Sequence, residues 1–476
     1  MKDNGIKAMI VLSLLLFWGL NSPAQTLKTP NEPKALKNSF WSLAIQDADT
    51  GEELVGIRSH NLMTPASTMK VVSTATLWSE VGGGKRINTD ILYKGDIKEG
   101  VLRGDLVVVG HGDPSIGSRY FWHSDQDHFF KEVVNALKQK GIKVITGSII
   151  AQISERDFQA NNPRWTSYDM GNGYAPGHWS LNAYDNSFEL RFDHFGESFT
   201  TIPELPEAKF SRVYSISAER KRDSIYISNA LLPDGSYPIT GVYPGNVQRL
   251  RVRGAIPNPP LFVAFRLKQQ LTMSGIKVQG GAKAQTIATG CNTLLYTYQS
   301  PTLRELIKLT LVYSHNLFAE GLLKQLAENK KPLPGHNTTQ TAIQEVYKYW
   351  SSRGIDTREI EMMDGSGLSI EDRVTAHFMA TLLGKVHRAD PSGSYRQLLP
   401  RAGIDGTLTI FLKGTPLEGK AYLKSGTLRN VVCYAGYVVL GNKTYTISFM
   451  VNNYYGKASV VRKAMEEVLL EAFGLR

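Results

Sequence analysis

The stretch Pro65-Ala66-Ser67-Thr68-Met69-Lys70 decides how this chain is interpreted, because it sets a serine hydroxyl and a lysine amine three residues apart. Apolar residues recur along 69–78 at helical spacing, which predicts a helix that begins at this stretch. On one helix, Ser67 and Lys70 share a face and can touch. A partly buried lysine beside other cations can take the proton of a serine and so activate it as a nucleophile. By itself, however, the pair also fits a capped surface helix.

Two further motifs make the catalytic interpretation much stronger. Ser314-His315-Asn316 and Lys424-Ser425-Gly426-Thr427 follow later in the chain. Together with Ser67-x-x-Lys70 they match, in order, the motifs of penicillin-binding proteins and serine β-lactamases. The third motif has Ser425 where threonine is more usual, but serine keeps the hydroxyl group.

The N-terminus predicts export. Two lysines precede an apolar run at 8–20, and the small residues at 22–24 provide a cleavage site, which is the layout of a signal peptide covering 1–24 and cut near Ala24. A membrane anchor is the alternative, but the run is shorter than the ~20 residues that span a bilayer. No later segment is long and apolar enough to span one either, so no transmembrane anchor is expected.

The net charge of the chain narrows the range of binding partners. The 476 residues carry a net charge of +11, which favours acidic partners, and export makes nucleic acid the least plausible of these.

Export also permits a disulfide between Cys291 and Cys433, the two cysteines of the sequence. Cys433 equally fits a buried thiol, so both alternatives stay open. Neither metal-ligand spacing nor a glycine-rich phosphate loop is found, and we expect no metal and no cofactor.

The fold class expected is α/β, with the motifs in a catalytic domain made of two separated parts, 25–85 and 290–476. The first part contains a β-hairpin that turns at 47–51, followed by the Ser67 helix. The second part ends in a predicted three-strand meander and a helix at 459–473. The meander strands are predicted at 422–429, 431–440 and 444–453.

The long interval between the first two motifs predicts a nested insertion. An inserted α/β domain is expected at 86–186 and 259–289, and a small β-rich domain is expected within it at 187–258. Two predicted helices each end at a glycine and continue as Gly-Ile-Lys-Val, at 141–144 and at 275–278. This suggests one helix-to-strand unit that is used twice.

These features resemble one family, the class C low-mass penicillin-binding proteins of peptidase family S13, of the penicillin-binding protein 4 type. The likeness covers nearly all of the chain after the signal peptide. Its most specific element is the 247-residue separation of Ser67 and Ser314, which leaves room for inserted domains. Weaker family signatures occur at 112–115, 165–170 and 364–369. The resemblance implies an antiparallel sheet flanked by helices, as in β-lactamases and transpeptidases, in a periplasmic protein.

The chemistry and the resemblance suggest the same catalytic roles. Cleavage by acyl transfer needs a nucleophile, a base, a proton relay, an oxyanion site and a receptor for the substrate carboxylate. Ser67 is the candidate nucleophile, Lys70 the candidate base and Ser314 the candidate proton relay. The backbone N–H groups of Ser67 and Thr427 would form the oxyanion site. The hydroxyls of Ser425 and Thr427 would receive the carboxylate. Asn316 can hold Lys70 and a substrate amide. Lys424 supplies positive charge, which also favours a neutral Lys70.

Two substrate-binding residues complete the expected site. Gly426 leaves the strand face open for the substrate to approach closely. The resemblance alone adds Asp169, since in the family an aspartate of the inserted domain overhangs the cleft and receives the free amine of a diamino-acid side chain. His315 and the Asp364 loop are left outside the catalytic set.

The resemblance implies a D-alanyl-D-alanine carboxypeptidase/endopeptidase that acts on peptidoglycan stem peptides, free or crosslinked through D-alanine, and is covalently inhibited by β-lactams. A secreted β-lactamase uses the same acyl-enzyme chemistry and remains an alternative. A non-catalytic penicillin- or peptidoglycan-binding protein is a second alternative, disfavoured because every expected functional group is present. The balance of the two peptidase activities, the stem-peptide specificity and the oligomeric state stay open.

Overall fold

The computed structural model describes residues 27–121, 125–154, 157–219, 221–286, 292–332 and 334–475. The predicted signal peptide and Cys291 lie outside these residues. Cys433 is a buried thiol in a central strand.

The helices and strands of the chain are numbered separately, each in chain order. The α-helices are α1 (Met69–Val81), α2 (His128–Gln139), α3 (Pro259–Met273), α4 (Leu303–Tyr313), α5 (Asn316–Gln325), α6 (Thr338–Ser351), α7 (Ala376–Ala389) and α8 (Ala458–Ala472). The strands are β1 (Phe40–Asp47), β2 (Glu53–Ile57), β3 (Arg86–Lys98), β4 (Val101–Gly110), β5 (Val144–Ile145), β6 (Ile149–Gln152), β7 (Ser187–Asp193), β8 (Ser198–Ile202), β9 (Phe210–Arg212), β10 (Ser215–Ser217), β11 (Tyr226–Ile227), β12 (Tyr237–Thr240), β13 (Val242–Pro244), β14 (Leu250–Ala255), β15 (Lys277–Val278), β16 (Ala282–Gln285), β17 (Thr293–Thr302), β18 (Ile360–Glu361), β19 (Arg373–Val374), β20 (Ala421–Leu428), β21 (Val431–Leu440) and β22 (Lys443–Asn452).

Strands from the first and last parts of the chain form a five-stranded sheet. Its strand order is β2-β1-β22-β21-β20, and every neighbouring pair is antiparallel. Side chains alternate across it because successive residues of a strand face opposite sides. Leu43 and Ile45 pack with α8 in one core, whereas Ala44 packs with α1 and α4 to α7 in the other. The expected antiparallel sheet flanked by helices is therefore present.

A second sheet is built from the inserted part of the chain. The long hairpin of β3 and β4 joins β17 on one side and β5, β6, β15 and β16 on the other. The helices α2 and α3 pack on it in a core of their own. Since β17 pairs with β3, this sheet extends beyond residue 289, where the sequence analysis places the end of the inserted domain. The domain limits remain predictions.

The repeated helix-to-strand unit has the same geometry in both copies. Gly141 and Gly275 end their helices with φ angles of +73° and +85°, which suits glycine at this position. In each copy the N–H of the following isoleucine donates to a carbonyl of the last helical turn, at 3.0 Å from Leu137 and 2.9 Å from Leu271. The strands that follow, β5 and β15, lie side by side in parallel.

The segment between residues 187 and 258 forms β7 to β14, in three small sheets of two or three strands. The high content of β-strands expected for this segment is therefore observed. Within the part of the chain that the structure describes, no helix has the length and apolar character needed to cross a bilayer.

Candidate active site

The serine of the first motif lies at the start of α1. A short 3-10 turn, Ala66–Thr68, leads directly into the helix, and Ala66 adopts a left-handed φ of 48°. The Nζ atom of Lys70 lies 3.0 Å from the Oγ atom of Ser67. Lys70 is buried, whereas Ser67 is half-buried. The structure therefore brings the predicted nucleophile and its predicted base together, with the hydroxyl on the more accessible side.

Two more oxygen atoms surround the amine of Lys70. Its Nζ atom lies 2.6 Å from the Oδ1 atom of Asn316 and 2.6 Å from the carbonyl oxygen of Ser366. The amide nitrogen of Asn316 donates in turn to the carbonyl of Tyr174, at 2.8 Å. The asparagine of the second motif thus links Lys70 to the inserted part of the chain.

Burial controls the charge of both active-site lysines. It lowers the pKa of Lys70 to about 8, against the opposing effect of three nearby carboxyl groups, Asp364, Glu320 and Asp372. Burial also holds the pKa of Lys424 well below its usual value, and the charge of Lys70 lowers this pKa further. From the sequence, repulsion by Lys424 is expected to favour a neutral Lys70. In the structure, burial is the main cause, and the repulsion acts on Lys424.

The second motif occupies a break between two helices. Helix α4 ends at Tyr313, Ser314 takes a left-handed conformation with φ 57° and ψ 40°, and α5 begins at Asn316. This break directs Ser314 towards the third motif, where its Oγ atom lies 2.9 Å from the Nζ atom of Lys424. His315 packs edge-on against Tyr120, and burial lowers its pKa to about 3, which favours the neutral ring.

The third motif lies on the edge strand β20, and Gly426 allows this strand to pack against the nucleophile segment. A Cβ atom on Gly426 would lie 2.7 Å from the carbonyl oxygen of Pro65 and 3.1 Å from the backbone nitrogen of Ser67. The role expected for Gly426 from the sequence is to leave room for the substrate. The structure gives another reason, because the protein's own backbone occupies the space that a side chain would need.

Ser425 and Thr427 alternate with Lys424 along the strand, so they face the opposite side. Thr427 is exposed. The Oγ atom of Ser425 lies 2.6 Å from the Oγ1 atom of Thr407. Thr407 lies in the 3-10 turn Gly406–Leu408, which carries no recognisable motif, and it meets Ser425 only in the folded chain, so the sequence did not point to it.

The Asp364 loop, left outside the catalytic set, supports Lys70. The buried carboxylate of Asp364 accepts hydrogen bonds from the Nε1 atom of Trp165, at 2.7 Å, and from four backbone N–H groups. The four belong to Ser366, Gly367, Leu368 and Ser369. These bonds shape the loop that presents the carbonyl of Ser366 to Lys70. The sequence signal for this role is an aspartate followed by Gly-Ser-Gly, which permits such a tight loop.

Asp169 lies close to the second motif but does not touch it. Its carboxylate accepts hydrogen bonds from the hydroxyl of Thr166, at 2.6 Å, and from that of Tyr174, at 2.8 Å. The carbonyl of Tyr174 is the acceptor for Asn316. A cleft of about 490 Å³ opens between the second motif and the inserted part, and it is lined by Tyr174 but not by Asp169. Its lining includes Arg119, Tyr174, Arg251, Arg253, Ser314 and Asn316.

Comparison with known proteins identifies the fold. The chain matches the crystal structure of penicillin binding protein 4 (dacB) from Haemophilus influenzae with a TM-score of 0.79 and 21% identity, over 94% of this chain and 98% of that one. It also matches Bd3459, a predatory peptidoglycan endopeptidase from Bdellovibrio bacteriovorus, with a TM-score of 0.51 and 14% identity, over 92% and 93% of the two chains. The sheet and its flanking helices therefore have the fold of a penicillin-binding protein, as expected.

The sequence comparisons identify the family. The model of the D-Ala-D-Ala carboxypeptidase 3 (S13) family matches residues 24–472, and the chain belongs to this family. A curated relative, the D-alanyl-D-alanine carboxypeptidase of Actinomadura sp. strain R39, is 24% identical over 93% of this chain and 83% of its own length. The D-alanyl-D-alanine carboxypeptidase DacB of Haemophilus influenzae is 23% identical over 94% and 91%. The expected enzyme class, a serine-type D-Ala-D-Ala carboxypeptidase, is confirmed.

Proposed function

We propose that the protein is an exported, periplasmic D-alanyl-D-alanine carboxypeptidase/endopeptidase that trims or uncrosslinks peptidoglycan stem peptides through an acyl-enzyme on Ser67. The observation that carries this proposal is the arrangement of Lys70, whose Nζ atom lies 3.0 Å from the Oγ atom of Ser67. Because its pKa is lowered to about 8, Lys70 is partly neutral near pH 7 and can accept the proton of the serine.

Acylation uses the three motifs together. The Oγ atom of Ser67 attacks the carbonyl carbon of the penultimate D-alanine, and Lys70 takes the hydroxyl proton. Ser314 donates its hydroxyl proton to the amine of the departing D-alanine as the peptide bond breaks, and Lys424, whose Nζ atom lies 2.9 Å from the Oγ atom of Ser314, replaces that proton. The backbone N–H groups of Ser67 and Thr427 stabilise the oxyanion, a contribution of about 3 kcal/mol per donor in comparable sites. Water then hydrolyses the ester and regenerates Ser67.

The substrate is held at both ends. The hydroxyls of Ser425 and Thr427 bind the terminal carboxylate. Asp169 receives a free side-chain amine of the stem peptide at the mouth of the cleft. In an endopeptidase reaction, the departing amine belongs to a crosslinked neighbouring peptide instead of free D-alanine.

β-Lactams acylate the same serine in this proposal. The structure of penicillin binding protein 4 from Haemophilus influenzae has also been solved with a β-lactam, and it matches this chain with a TM-score of 0.75. Fast hydrolysis of a penicillin, with no turnover of D-Ala-D-Ala peptides, would identify the protein as a β-lactamase instead.

Digestion of purified peptidoglycan tests the proposal. Mass spectrometry of the products distinguishes the loss of one alanine from the loss of crosslinked dimers, and we expect one or both with the wild-type protein. Ser67→Ala should produce neither, and it should not be labelled by a fluorescent penicillin. Labelling of Ser67→Ala at the wild-type level would contradict the assignment of the nucleophile, and an undigested substrate would contradict the proposed activity.

A further inference from the structure

Four side chains gather outside the cleft, from parts of the chain that are far apart in sequence. Glu53 lies on β2, His60 in the turn after it, Glu359 in the 3-10 turn Thr357–Glu359, and His377 in the first turn of α7. One possible ligand atom each from Glu53, His60 and His377 lies within 4.8 Å of the others. The Oε1 atom of Glu359 lies 2.6 Å from the Nδ1 atom of His60. No sequence spacing reveals this group, since Glu53 and His377 are 324 residues apart.

The group has the composition of a transition-metal site. Imidazole nitrogens and carboxylate oxygens are ligands of Zn²⁺, which usually takes four. The rings of His60 and His377 lie side by side, with their centroids 4.3 Å apart. Their side chains are 60% and 32% exposed, so an ion can reach them from solvent.

The two carboxylates are held in place by neighbouring hydroxyls. Glu53 accepts a hydrogen bond from Ser59 on one oxygen, at 3.0 Å, and directs the other towards His377. Glu359 accepts one from Thr375, at 2.8 Å, and directs its other oxygen towards His60. Outer hydrogen bonds of this kind orient the ligands of metal sites.

Side-chain movements of up to about 1.5 Å would bring the ligand atoms of Glu53, His60 and His377, which lie within 4.8 Å of one another, to coordination distance, and Glu359 would move together with His60. Two ligands of a tetrahedral zinc lie about 3.4 Å apart, given bonds of about 2.0–2.2 Å. The histidine–carboxylate pairs lie 2.6 and 3.0 Å apart, so each opens by less than about 1 Å to admit the ion. Partly exposed ion pairs alone contribute little to stability, whereas a shared metal ion bonds to all four groups.

We propose that Glu53, His60, Glu359 and His377 form a zinc-binding site that cross-links two segments leading to the active site. His60 precedes Ser67 by seven residues, and Glu359 and His377 flank the segment that contains the Asp364 loop. These segments already pair through the N–H groups of Met63 and Val374, each donating to the other's carbonyl, at 3.0 and 2.9 Å. The metal ion adds a second connection beside this bridge.

Calorimetric titration of the untagged full chain with Zn²⁺, after removal of metal by a chelator, tests the site. We expect one ion per chain. His60→Ala and His377→Ala should each weaken binding by about tenfold to hundredfold or more. His111→Ala is the matched control, because His111 also lies beside a carboxylate, 3.1 Å from Asp90, but is not part of this group. The control should bind as the wild type does.

Thermal unfolding with and without Zn²⁺ tests the cross-link separately. At one Zn²⁺ concentration, the ion should raise the melting temperature of the wild type and of His111→Ala, and should raise that of His60→Ala much less. The His60 side chain is mostly exposed, so this variant should fold, and unchanged labelling by a fluorescent penicillin checks that it has. An absence of Zn²⁺ binding, or binding that both histidine variants retain, would overturn the site. Binding without a rise in melting temperature would overturn the cross-link.

Discussion

The Nζ atom of Lys70 lies 2.6 Å from the carbonyl oxygen of Ser366, a residue 296 positions further along the chain. Asn316 provides a second acceptor at the same distance. A neutral amine has two hydrogens and one lone pair, so these two oxygens can take both hydrogens. The lone pair is then left to face the hydroxyl of Ser67, which is the orientation that a general base needs.

The support of the Ser366 carbonyl can be tested through Asp364→Asn. The amide replaces an acceptor oxygen with an NH₂ group that faces backbone donors. We expect a loss of about 2–4 kcal/mol in the free energy of unfolding. The rate of acylation by a fluorescent penicillin should fall as well, because Lys70 loses its alignment. Asp356→Asn, which changes an exposed aspartate with a similar bond to backbone, is the control. An unchanged acylation rate in a destabilised protein would show that the loop does not position Lys70.

The pH dependence of acylation should report the charge of Lys70. Because its pKa is lowered to about 8, the neutral fraction of the amine grows as the pH rises through that value. The second-order rate of penicillin acylation should therefore increase from about pH 6 to about pH 8 and then level off. Stopped-flow or quenched labelling across this range measures it. A rate that falls as the pH rises would exclude Lys70 as the base.

The close packing of β20 on the nucleophile segment can be tested through Gly426→Ala. The added methyl group meets the carbonyl oxygen of Pro65 at 2.7 Å, and the backbone must move. We expect destabilisation of about 1–3 kcal/mol and slower acylation of Ser67. Gly84→Ala places its methyl group in open space and should change neither property. If both variants behave alike, the close contact of residue 426 with the carbonyl oxygen of Pro65 affects neither stability nor acylation.

The hydroxyl of Ser425 is predicted to bind the substrate carboxylate, together with Thr427. Ser425→Thr keeps this group and should change kcat/KM little. Ser425→Val removes it and should lower kcat/KM for peptides with a free C-terminal carboxylate, by about 1–3 kcal/mol in transition-state stabilisation. Steady-state hydrolysis of one peptide by the three proteins provides the comparison. A harmless valine would mean that the carboxylate is bound elsewhere.

The role proposed for Asp169 concerns substrate choice. Asp169→Asn should reduce kcat/KM for stem peptides with a free side-chain amine by a few-fold to about a hundredfold, as expected for the loss of one charge-assisted partner. Acylation by a small penicillin without such an amine should stay almost unchanged. N-acetylated peptides are the control. An equal loss on both forms of the peptide would instead make Asp169 structural, through its bonds to Thr166 and Tyr174.

Local sequence patterns were enough to predict the elements that carry the three motifs. The meander strands and the last helix lie within one residue of the expected limits, because alternating and helical periodicities are properties of short segments. The contact of Ser67 with Lys70 follows from one helical turn. Thr407 and the carbonyl of Ser366 reach the site through tertiary contacts of loops, and no local pattern encodes these. The true neighbours of Gly426 were missed for the same reason.

The strand β22 lies between β1 and β21, and it is the last strand among the described residues. A growing chain leaves the ribosome with its N-terminus first, so β1 lacks this partner until residues 443–452 have been made. A chain released before that point contains all three motifs in its sequence. In such a chain, the hairpin of β1 and β2, which precedes Ser67, is separate from β20, which contains Lys424. The strand β22, which joins these two parts of the sheet, is missing. The two parts of the sheet that flank Ser67 and Lys424 are therefore joined only after residues 443–452 have been made.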